Sequence, residues 1–389
     1  MRIALVTEHL DHRRGGEQRY THDFAAWLAG QGHDVVVLTR DAHEPPPGAQ
    51  VTLVETSGLT QRARTLSFAR RVRERLQRLQ ADVSMATGKA LGQRVYQPHG
   101  GTVLGSQRQN LLRVRGETAR RLKACWNRVS PGHRALRRLD ARQFADPMTH
   151  FVAVSDMVRR DMRSFYGIAE HRITLIYNGI DVERFHPDHI RTSRADVRRQ
   201  LLIADTATVF LLVAHNFALK GLGETIEALA CLRNGAAPDV HLVVVGRGKS
   251  RRYRKLARRL GVDSRVHFAG AASDIAPYYG AADAYVHPTW YDPCSLVVLE
   301  ALASGLPVLT TRCNGASELM DGRGAGVVLD VPRPVSRLID GMGELLDPAR
   351  RESMAREARR VAEEHAQERN FREMLDVLTR AAPGQEAVT

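Results

Sequence analysis

The sequence of 389 residues has little cysteine, few aromatic side chains and no long apolar run. Its four cysteines are scattered and form no CxxC pair, which fits reduced thiols better than a disulfide framework or a zinc site. The longest apolar runs, such as VFLLVA and HLVVVG, fall far short of the roughly 20 residues that span a bilayer. The N-terminal run MRIALVTEHL is strand-like and has none of the features of a signal peptide. We therefore expect a globular protein located in the cytoplasm.

Positive charge is concentrated in one segment of the chain. The formal net charge is +14, and residues 108–142 hold ten arginines and one lysine against two acids, about nine of the fourteen net charges. This excess in the basic segment (residues 108–142) predicts an anionic partner, either nucleic acid, a phosphorylated glycan or a membrane surface. A solvated basic face without a partner is the alternative. Nucleic acid is disfavoured, because aromatic residues make up only 6% of the chain and no recognition module is present.

Apolar residues are interspersed with the arginines of the basic segment. They predict a helix with an apolar side and a cationic side, a pattern typical of helices that lie on anionic membranes. Pro131 and Gly132 predict that the segment is divided into two helices. The apolar residues concerned are Leu111, Leu112, Val114, Leu122 and Trp126.

Strand-like runs alternate with helical stretches along the whole chain. The first half contains IALVT, DVVVLT, DVSMA, RVYQ and HFVAVS, and the second contains TVFLLVA, HLVVVG, RVHFAG, DAYVHP, LPVLTT and GVVLD. This alternation is typical of parallel β-sheets covered by helices. Because such sheets bind ligands beyond the carboxyl ends of their strands, both halves would direct their loops at one cleft. The sequence predicts an α/β fold of two Rossmann-like, doubly wound domains that face a central cleft.

The predicted domain boundary lies where turn residues and a proline interrupt the alternation, in YNGIDVERFHP. We expect an N-terminal domain over residues 1–178 and a C-terminal domain over residues 179–365. No strand-like run follows the last helix and tail, over residues 366–389. They are free to pack on either domain, the N-terminal one included.

Two glycines and a histidine follow strands of the first half. Gly15 and Gly16 come after the first strand and open the first helix, where backbone amides can approach an anion closely. A plain tight turn is the alternative. His99 follows RVYQP at the end of a strand and precedes a second Gly-Gly pair. It is a candidate functional histidine, with a purely structural role as the alternative.

A lysine in the second half lies between a buried strand and an amphipathic helix, in HNFALKGLGETIEAL. At that junction Lys220 can reach a phosphate held over the helix N-terminus. An ordinary surface lysine is the alternative.

Two acids with seven residues between them mark the most informative segment, HPTWYDPCSLVVLEALASGLPVLTT. Asp292 lies in a loop and Glu300 in the helix that follows. Between them, Cys294, Ser295 and Leu296 offer free backbone N–H groups at the helix start, which suit a diphosphate. Glu300 would bind hydroxyl groups rather than phosphate. A short surface loop with two solvated acids is the alternative.

Taken together, these segments resemble the retaining GT-B glycosyltransferases of family 4. The resemblance rests on the Gly15–Gly16 turn, PHG at 98–100, VAVSDMVRRD, YNGID, KG at 220–221 and the acid-x7-Glu segment through SGLPVLTT, which follow the family's order along nearly the whole chain. Within the family, GRGKSRRYRKLARRLGVDSRVHFAG, VVLEALASGLPVLTT and the basic helical insert after position 104 are similar to the lipopolysaccharide core glucosyltransferases.

The resemblance implies a role for each candidate residue. Gly16 would contact the donor phosphate through its backbone, and His99 would lie near the sugar. Lys220 would neutralise the diphosphate leaving group, which the amides at the helix start would cradle. Glu300 would bind the ribose hydroxyls. Asp292 would take the place of the acid that holds the hydroxyls of the donor sugar.

Two positions depart from the family pattern. The family usually has glutamate where this chain has Asp292, which shortens the acid by one methylene and leaves the donor sugar open. The family also usually has an arginine five residues before the lysine, where this chain has His215. Neutralisation of the phosphates would then depend on Lys220, helped by Arg247.

The resemblance implies retaining transfer of a hexose, with glucose favoured, from a nucleotide diphosphate sugar, with a UDP-sugar favoured, to a glycan or glycolipid such as lipopolysaccharide inner core. The sequence has no DxD motif, and we expect no metal or other cofactor, because a lysine and helix-terminal amides can carry the charge. The alternatives are a GT-B nucleotide-sugar epimerase or phosphorylase, and a basic nucleic-acid-binding protein. Membrane binding by the basic segment would place the protein peripherally at the inner face of the cytoplasmic membrane.

Overall fold

The computed structural model describes residues 1–11, 13, 15–233 and 239–382. Contacts divide the chain into two units. The N-terminal unit comprises Met1–Tyr177 and the chain from Arg369, and the C-terminal unit comprises Asn178–Glu368. Each unit is built on a parallel β-sheet covered by helices, which confirms the predicted fold class.

The N-terminal unit alternates strands and helices from its first residues. Its described strands are β1 (Arg2–Val6), β2 (Asp34–Thr39), β3 (Gln50–Leu53), β4 (Val83–Ala86), β5 (Val95–Tyr96), β6 (His150–Ala153) and β7 (Ile173–Leu175). Its helices are α1 (Gly16–Gly30), α2 (Gln61–Arg78), α3 (Val103–Leu112), α4 (Glu117–Val129), α5 (Pro131–Ala145) and α6 (Asp156–Tyr166). The strands pair in parallel in the order β3-β2-β1-β4-β5-β6-β7. The inner strands are buried on both faces, as expected for a sheet with helices on each side.

The basic segment forms three helices rather than the two that the sequence predicts. Helix α3 ends at Leu112, α4 follows after a short turn, and Pro131 is the first residue of α5. Proline is well tolerated at that position because the first amides of a helix have no intrahelical acceptor. The prediction of a break at Pro131 is therefore confirmed, and the prediction of a continuous helix before it is wrong.

A buried carboxylate joins this three-helix insert to the rest of the unit. Asp140 of α5 is fully buried and accepts hydrogen bonds from Lys89, Tyr166 and the amide of Val103, the last at 2.9 Å. Val103 opens α3 and Tyr166 closes α6, so a single side chain fixes the positions of α3, α5 and α6. A buried charge is tolerated there because it is paired and hydrogen-bonded.

The C-terminal unit repeats the architecture. Its described strands are β8 (Thr208–Val213), β9 (Val240–Val245), β10 (Val266–Gly270), β11 (Ala284–His287), β12 (Val308–Thr311) and β13 (Gly326–Leu329). Its helices are α7 (Pro187–Ile190), α8 (Arg194–Gln200), α9 (Leu222–Arg233), α10 (Arg251–Arg259), α11 (Ala276–Ala281), α12 (Leu296–Ala303), α13 (Val335–Glu344) and α14 (Pro348–Glu364). The strands pair in parallel in the order β10-β9-β8-β11-β12-β13. The strand order reverses beside β8, between β9 and β11, which is the place where doubly wound sheets bind ligands.

The last described helix, α15 (Gln367–Ala381), packs on the N-terminal unit. It buries Phe371, Met374, Val377 and Leu378 in the same apolar core as strands β1 and β2. The chain beyond residue 382, where the sequence predicts a tail, lies outside the described residues. Within the described chain, no helix is both long and apolar enough to cross a membrane.

Candidate active site

The two charged residues predicted to act on the donor lie side by side in the C-terminal unit. Lys220 follows β8, and Asp292 follows β11, the neighbouring strand of the sheet. Their side chains form an ion pair, and only 16% and 15% of their respective surfaces are exposed. Strands β8 and β11 are parallel neighbours, so the loops at their carboxyl ends meet at one edge. The arrangement is a preformed, largely desolvated pair of opposite charges.

Gly221 allows this close approach. Its φ is +72°, and a Cβ added there would lie 2.1 Å from the carbonyl oxygen of Pro288. The turn that carries Lys220 therefore packs directly on the end of β11. A larger residue at this position would push the lysine away from Asp292.

A buried histidine completes the pair, and sequence reasoning missed it. His287, the last residue of β11, is fully buried, with Nε2 3.4 Å from Oδ2 of Asp292 and Nδ1 3.2 Å from the Tyr285 hydroxyl. Burial lowers the pKa of His287 in spite of its contact with Asp292, so the ring is neutral at pH 7. Burial alone would raise the pKa of Asp292, but the Lys220 charge and the His287 hydrogen bond outweigh it and hold that pKa below its usual range. Asp292 is therefore a carboxylate at any physiological pH.

The start of helix α12 lies next to these charges and is largely buried. The Ser295 amide donates to Asn314 Oδ1 at 3.2 Å, so it is not a free donor as the sequence predicts. The amides of Val298 and Leu299 donate to the Ser295 carbonyl. Helix geometry then leaves the amides of Leu296 and Val297 without an intrahelical acceptor. An anion at this helix start would bind those two amides and share the Ser295 amide with Asn314.

The loop before α12 is fixed from a distance in sequence. Asn178 Nδ2 donates to the Cys294 carbonyl at 2.8 Å, and the Asp292 amide donates to the Cys313 carbonyl at 2.9 Å. Burial raises the pKa of the Cys294 thiol, so this cysteine is a neutral packing group rather than a nucleophile. The two hydrogen bonds hold the loop that carries Asp292 and the start of α12 in one conformation.

Glu300 lies on the second turn of α12 and is 5% exposed. Tyr279, on α11, donates its hydroxyl to Glu300 Oε2 at 2.8 Å. A carboxylate can accept about four hydrogen bonds, so this contact orients Glu300 and leaves capacity for the hydroxyls of a ligand. Tyr279 is a second residue that sequence reasoning missed, because it precedes Glu300 by 21 residues.

The other predicted phosphate ligand, Arg247, follows β9 and is exposed. Partial desolvation and the charge of Arg247 lower the pKa of His215, which follows β8. His215 is therefore neutral at pH 7 and cannot replace the cationic arginine that the family usually has at this position. Lys220 and Arg247 follow neighbouring strands and supply positive charge at this edge.

The remaining predicted residues, Gly15, Gly16 and His99, belong to the N-terminal unit. Gly15 caps α1 in an extended conformation, and Gly16 is the first helical residue, so their position at a helix N-terminus agrees with the sequence. His99 Nε2 lies 3.0 Å from Gln97 Oε1, and its ring packs 4.5 Å from that of Tyr20. Burial lowers the pKa of His99 to about 3. His99 can thus offer a dipole or a hydrogen bond to a ligand, but not a positive charge.

A cavity of about 610 Å³ lies within the N-terminal unit, beside the start of α1 and the basic insert. Glu17, Lys89, Asn110, Trp126 and His133 are among the residues that line it. Burial raises the pKa of Glu17 to about 7, although Thr87 donates a hydrogen bond to it. Hydrogen-bonding side chains around an indole ring suit a carbohydrate. Of these five residues, the sequence analysis names only Trp126, as part of the apolar side of the basic segment.

Buried neutral histidines predict how stability depends on pH. The pKa values of His99 and His267 are lowered to about 3 and about 4, mainly by burial. The unfolded chain binds these protons near pH 6.5, so both contributions are complete above pH 6.5 and are lost as the pH falls toward the folded values. The His99 imidazole adds a slope of about 1.4 kcal/mol per pH unit in that window, and the half-buried His267 adds less because solvent screens its charge. Glu17 opposes this slope between about pH 4.5 and 7, because its folded pKa is raised.

We therefore expect the melting temperature to fall between pH 7.5 and pH 5, and the fall to be smaller in His99→Gln and His267→Gln. His171, which is exposed, provides the control, and His171→Gln should keep the wild-type slope. Equal slopes in all four proteins would show that neither buried ring is held neutral.

Two family models match separate parts of the chain. Glycosyltransferase Family 4 matches residues 14–184, and Glycosyl transferases group 1 matches residues 207–348. Lipopolysaccharide glucosyltransferase WaaG of Escherichia coli is 28% identical over 320 residues, which are 82% of each chain. A GDP-mannose-dependent alpha-(1-6)-phosphatidylinositol monomannoside mannosyltransferase of Mycobacterium tuberculosis is 28% identical over 367 residues, 89% of each chain.

Solved structures agree with the family matches. The crystal structure of WaaG has a TM-score of 0.83 at 25% identity and covers 97% of this chain and 100% of its own. Sucrose-phosphate synthase from Thermosynechococcus elongatus, with a TM-score of 0.76 at 20% identity over 97% and 98% of the two chains, shares the fold. These matches confirm the GT-B fold and the resemblance read from the sequence. The two family models together match most of the chain, and the chain belongs to the GT-B glycosyltransferases of family 4.

Proposed function

We propose that this glycosyltransferase moves a hexose, with glucose favoured, from a nucleoside diphosphate sugar to a glycolipid acceptor, with retention of configuration. The observation that carries the proposal is the buried Lys220–Asp292 pair beside the start of α12. It offers a cation and helix-terminal amides for a diphosphate, and a carboxylate for sugar hydroxyls. Such preorganised charges are most effective in a site that excludes water.

In this proposal the bond between the anomeric carbon and the β-phosphate oxygen breaks, and its electron pair goes to the diphosphate. Lys220 and the amides of Leu296 and Val297 stabilise the charge that develops there. The acceptor hydroxyl attacks from the face that the diphosphate leaves, and its proton passes to the departing phosphate oxygen. We assign no covalent nucleophile, because Asp292 is held by Lys220 and His287.

Glu300 binds the ribose of the donor in this proposal, with Tyr279 orienting its carboxylate. Glu300 lies four residues, about one helical turn, after the first free amide of α12, so both face the same end of the helix. The donor sugar differs between the two relatives named above, which are a glucosyltransferase and a GDP-mannose-dependent mannosyltransferase. We favour glucose and a lipopolysaccharide acceptor because the first of these relatives, which matches 82% of the chain, is a lipopolysaccharide glucosyltransferase.

Thermal shift with UDP-glucose, GDP-mannose and ADP-glucose tests the donor site. A ligand at a hundred times its dissociation constant should add about 2.7 kcal/mol of stability. We expect UDP-glucose to give the largest shift and free glucose none. Product analysis with labelled donor then separates the alternatives. Transfer with an α-linkage supports the proposal, whereas epimerised nucleotide sugar or sugar 1-phosphate would identify an epimerase or a phosphorylase.

We also propose that helix α4 binds the surface of an anionic membrane. Leu122, Trp126 and Val129 lie at helical spacing on one face and are 68%, 63% and 54% exposed. Arg121 and Arg128 lie together along one edge of this face. Leu111 and Val114, which the sequence also assigns to the apolar side, are less exposed and lie outside α4. Exposed apolar groups bordered by arginines are the pattern of a helix that lies in the membrane interface.

A further inference from the structure

Helix α10 presents a second concentration of positive charge, in the C-terminal unit. Its sequence RRYRKLARR contains six basic residues and no acid. At 3.6 residues per turn, all six fall within an arc of about 160°, and Tyr253 and Ala257 are buried on the opposite side. The six side chains, which we call the α10 cationic face, are exposed: Arg251, Arg252, Arg254, Lys255, Arg258 and Arg259.

The α10 cationic face has no counter-charge within the described protein. Arg252 and Arg254 lie over the rings of Tyr253 and Phe268, but none of the six cations forms an ion pair with a carboxylate among the described residues. Like charges three and four residues apart on a helix repel each other. This helix is therefore held together by the packing of its buried side against its own electrostatic self-repulsion.

Helix α14, in the same unit, shows the ordinary arrangement. Arg356 pairs with Glu352 at 2.8 Å, Arg360 with Glu357 at 3.1 Å, and Arg350 with Glu344 at 3.2 Å. Paired arginines such as these form a solvated surface that needs no partner. The contrast indicates that the counter-charge of α10 is supplied by another molecule.

We propose that the α10 cationic face binds the anionic headgroups of a phospholipid membrane. Nine helical residues span about 13 Å, so the face can lie flat on several headgroups at once. It has no exposed apolar or aromatic side chain to insert between bases or into acyl chains, so the attraction is purely electrostatic. The choice of a lipid surface over nucleic acid rests on the glycolipid acceptor of the proposed function. The α10 cationic face would give the donor-binding unit its own contact with that surface.

Vesicle sedimentation of the full chain tests this inference without donor or acceptor, so its outcome is independent of glycosyl transfer. The variant combines Arg251→Gln, Lys255→Gln and Arg258→Gln. The control combines Arg350→Gln, Arg356→Gln and Arg360→Gln on α14, which removes the same net charge. Vesicles contain phosphatidylcholine with or without 30% phosphatidylglycerol (about one lipid in three).

Each basic residue near an anionic surface contributes roughly fivefold in affinity, so the α10 variant should bind about 10²-fold more weakly than wild type at low salt. The control should stay close to wild type, and the difference should vanish at about 1 M salt, where the Debye length is near 3 Å. Arg251→Lys with Arg258→Lys should retain binding, since the charge is kept. Equal binding by the α10 variant and the α14 control would overturn the inference. The inference would also be overturned if duplex DNA displaced wild type from vesicles and bound the α10 variant more weakly than wild type, because the α10 cationic face would then be a nucleic-acid site.

Discussion

Replacing Lys220 with alanine is expected to reduce turnover by about 10²–10³-fold, the usual effect of removing one electrostatic contact to charge that develops in a transition state. The reason is positional. Lys220 is held at the carboxyl edge of the sheet by the turn at Gly221, within reach of the helix start that would hold the diphosphate. The measurement is the steady-state rate of donor consumption. Arg356→Ala, which removes an exposed cation from α14, should leave that rate unchanged.

The same substitution also leaves a buried carboxylate without its cation, and this effect can be separated from the first. Asp292 would keep only His287 as a partner, and breaking a buried pair costs about 3–5 kcal/mol when one charge is left behind. The double variant Lys220→Ala with Asp292→Asn should recover much of the melting temperature while staying inactive. A single variant with near-normal turnover would remove Lys220 from the mechanism. Recovery of turnover together with stability in the double variant would make its role structural.

The parallel sheets could be predicted because they depend on local signals, whereas the ion pair of Lys220 with Asp292 depends on β8 and β11 being neighbours in the sheet. Alternating apolar runs identify most of the strands, and residues that follow neighbouring parallel strands converge at one edge. Strands β3 and β7 were not predicted, because they are short and only partly buried and their sequences QVTL and ITL contain few apolar residues. Element type thus followed from sequence where an apolar run was present, even in β13, which is only partly buried.

The partners of the candidate residues could not be predicted, because they come from distant parts of the chain. Asn314 binds the Ser295 amide across 19 residues, and Tyr279 binds Glu300 across 21. His287 is only five residues before Asp292, yet a single histidine at the end of an apolar strand gives no signal of its own. The sequence therefore identifies the charged residues of the site, and the fold brings neutral side chains such as Tyr279 and His287 next to them.

The binding role of a cluster of positive charges could not be predicted from the number of charges alone. The basic segment holds most of the net charge, whereas the six cations of α10 are a small share of the basic residues. Pairing distinguishes α10 from the other arginine-rich helix of its unit, α14. Arg356 of α14 is paired with Glu352, whereas the α10 cations have no such partner in the described residues.

Membrane binding through α4 should have a component that resists salt, unlike the electrostatic binding inferred for α10. Burying exposed apolar surface contributes about 25 cal/mol per Å², so Leu122 and Trp126 together are worth roughly 3 kcal/mol at an interface. The variant Leu122→Ala with Trp126→Ala should therefore bind anionic vesicles about 10²-fold more weakly, at low and at high salt. Leu53→Ala with Leu59→Ala removes two other exposed leucines of the N-terminal unit and should have no effect.

Tryptophan fluorescence gives an independent measurement of the same contact. Of the three tryptophans, Trp126 is 63% exposed, Trp27 packs partly buried on the N-terminal core and Trp290 is 3% exposed, so a blue shift of the emission on adding vesicles reports chiefly on Trp126. We expect the shift with anionic vesicles and a weaker one with neutral vesicles, because the flanking arginines add to the attraction. The shift should be absent in Trp126→Phe, while sedimentation of that variant stays close to wild type, since phenylalanine keeps the apolar contact. An emission spectrum unchanged by vesicles would leave α4 as a solvated amphipathic helix and would require another surface to contact the acceptor.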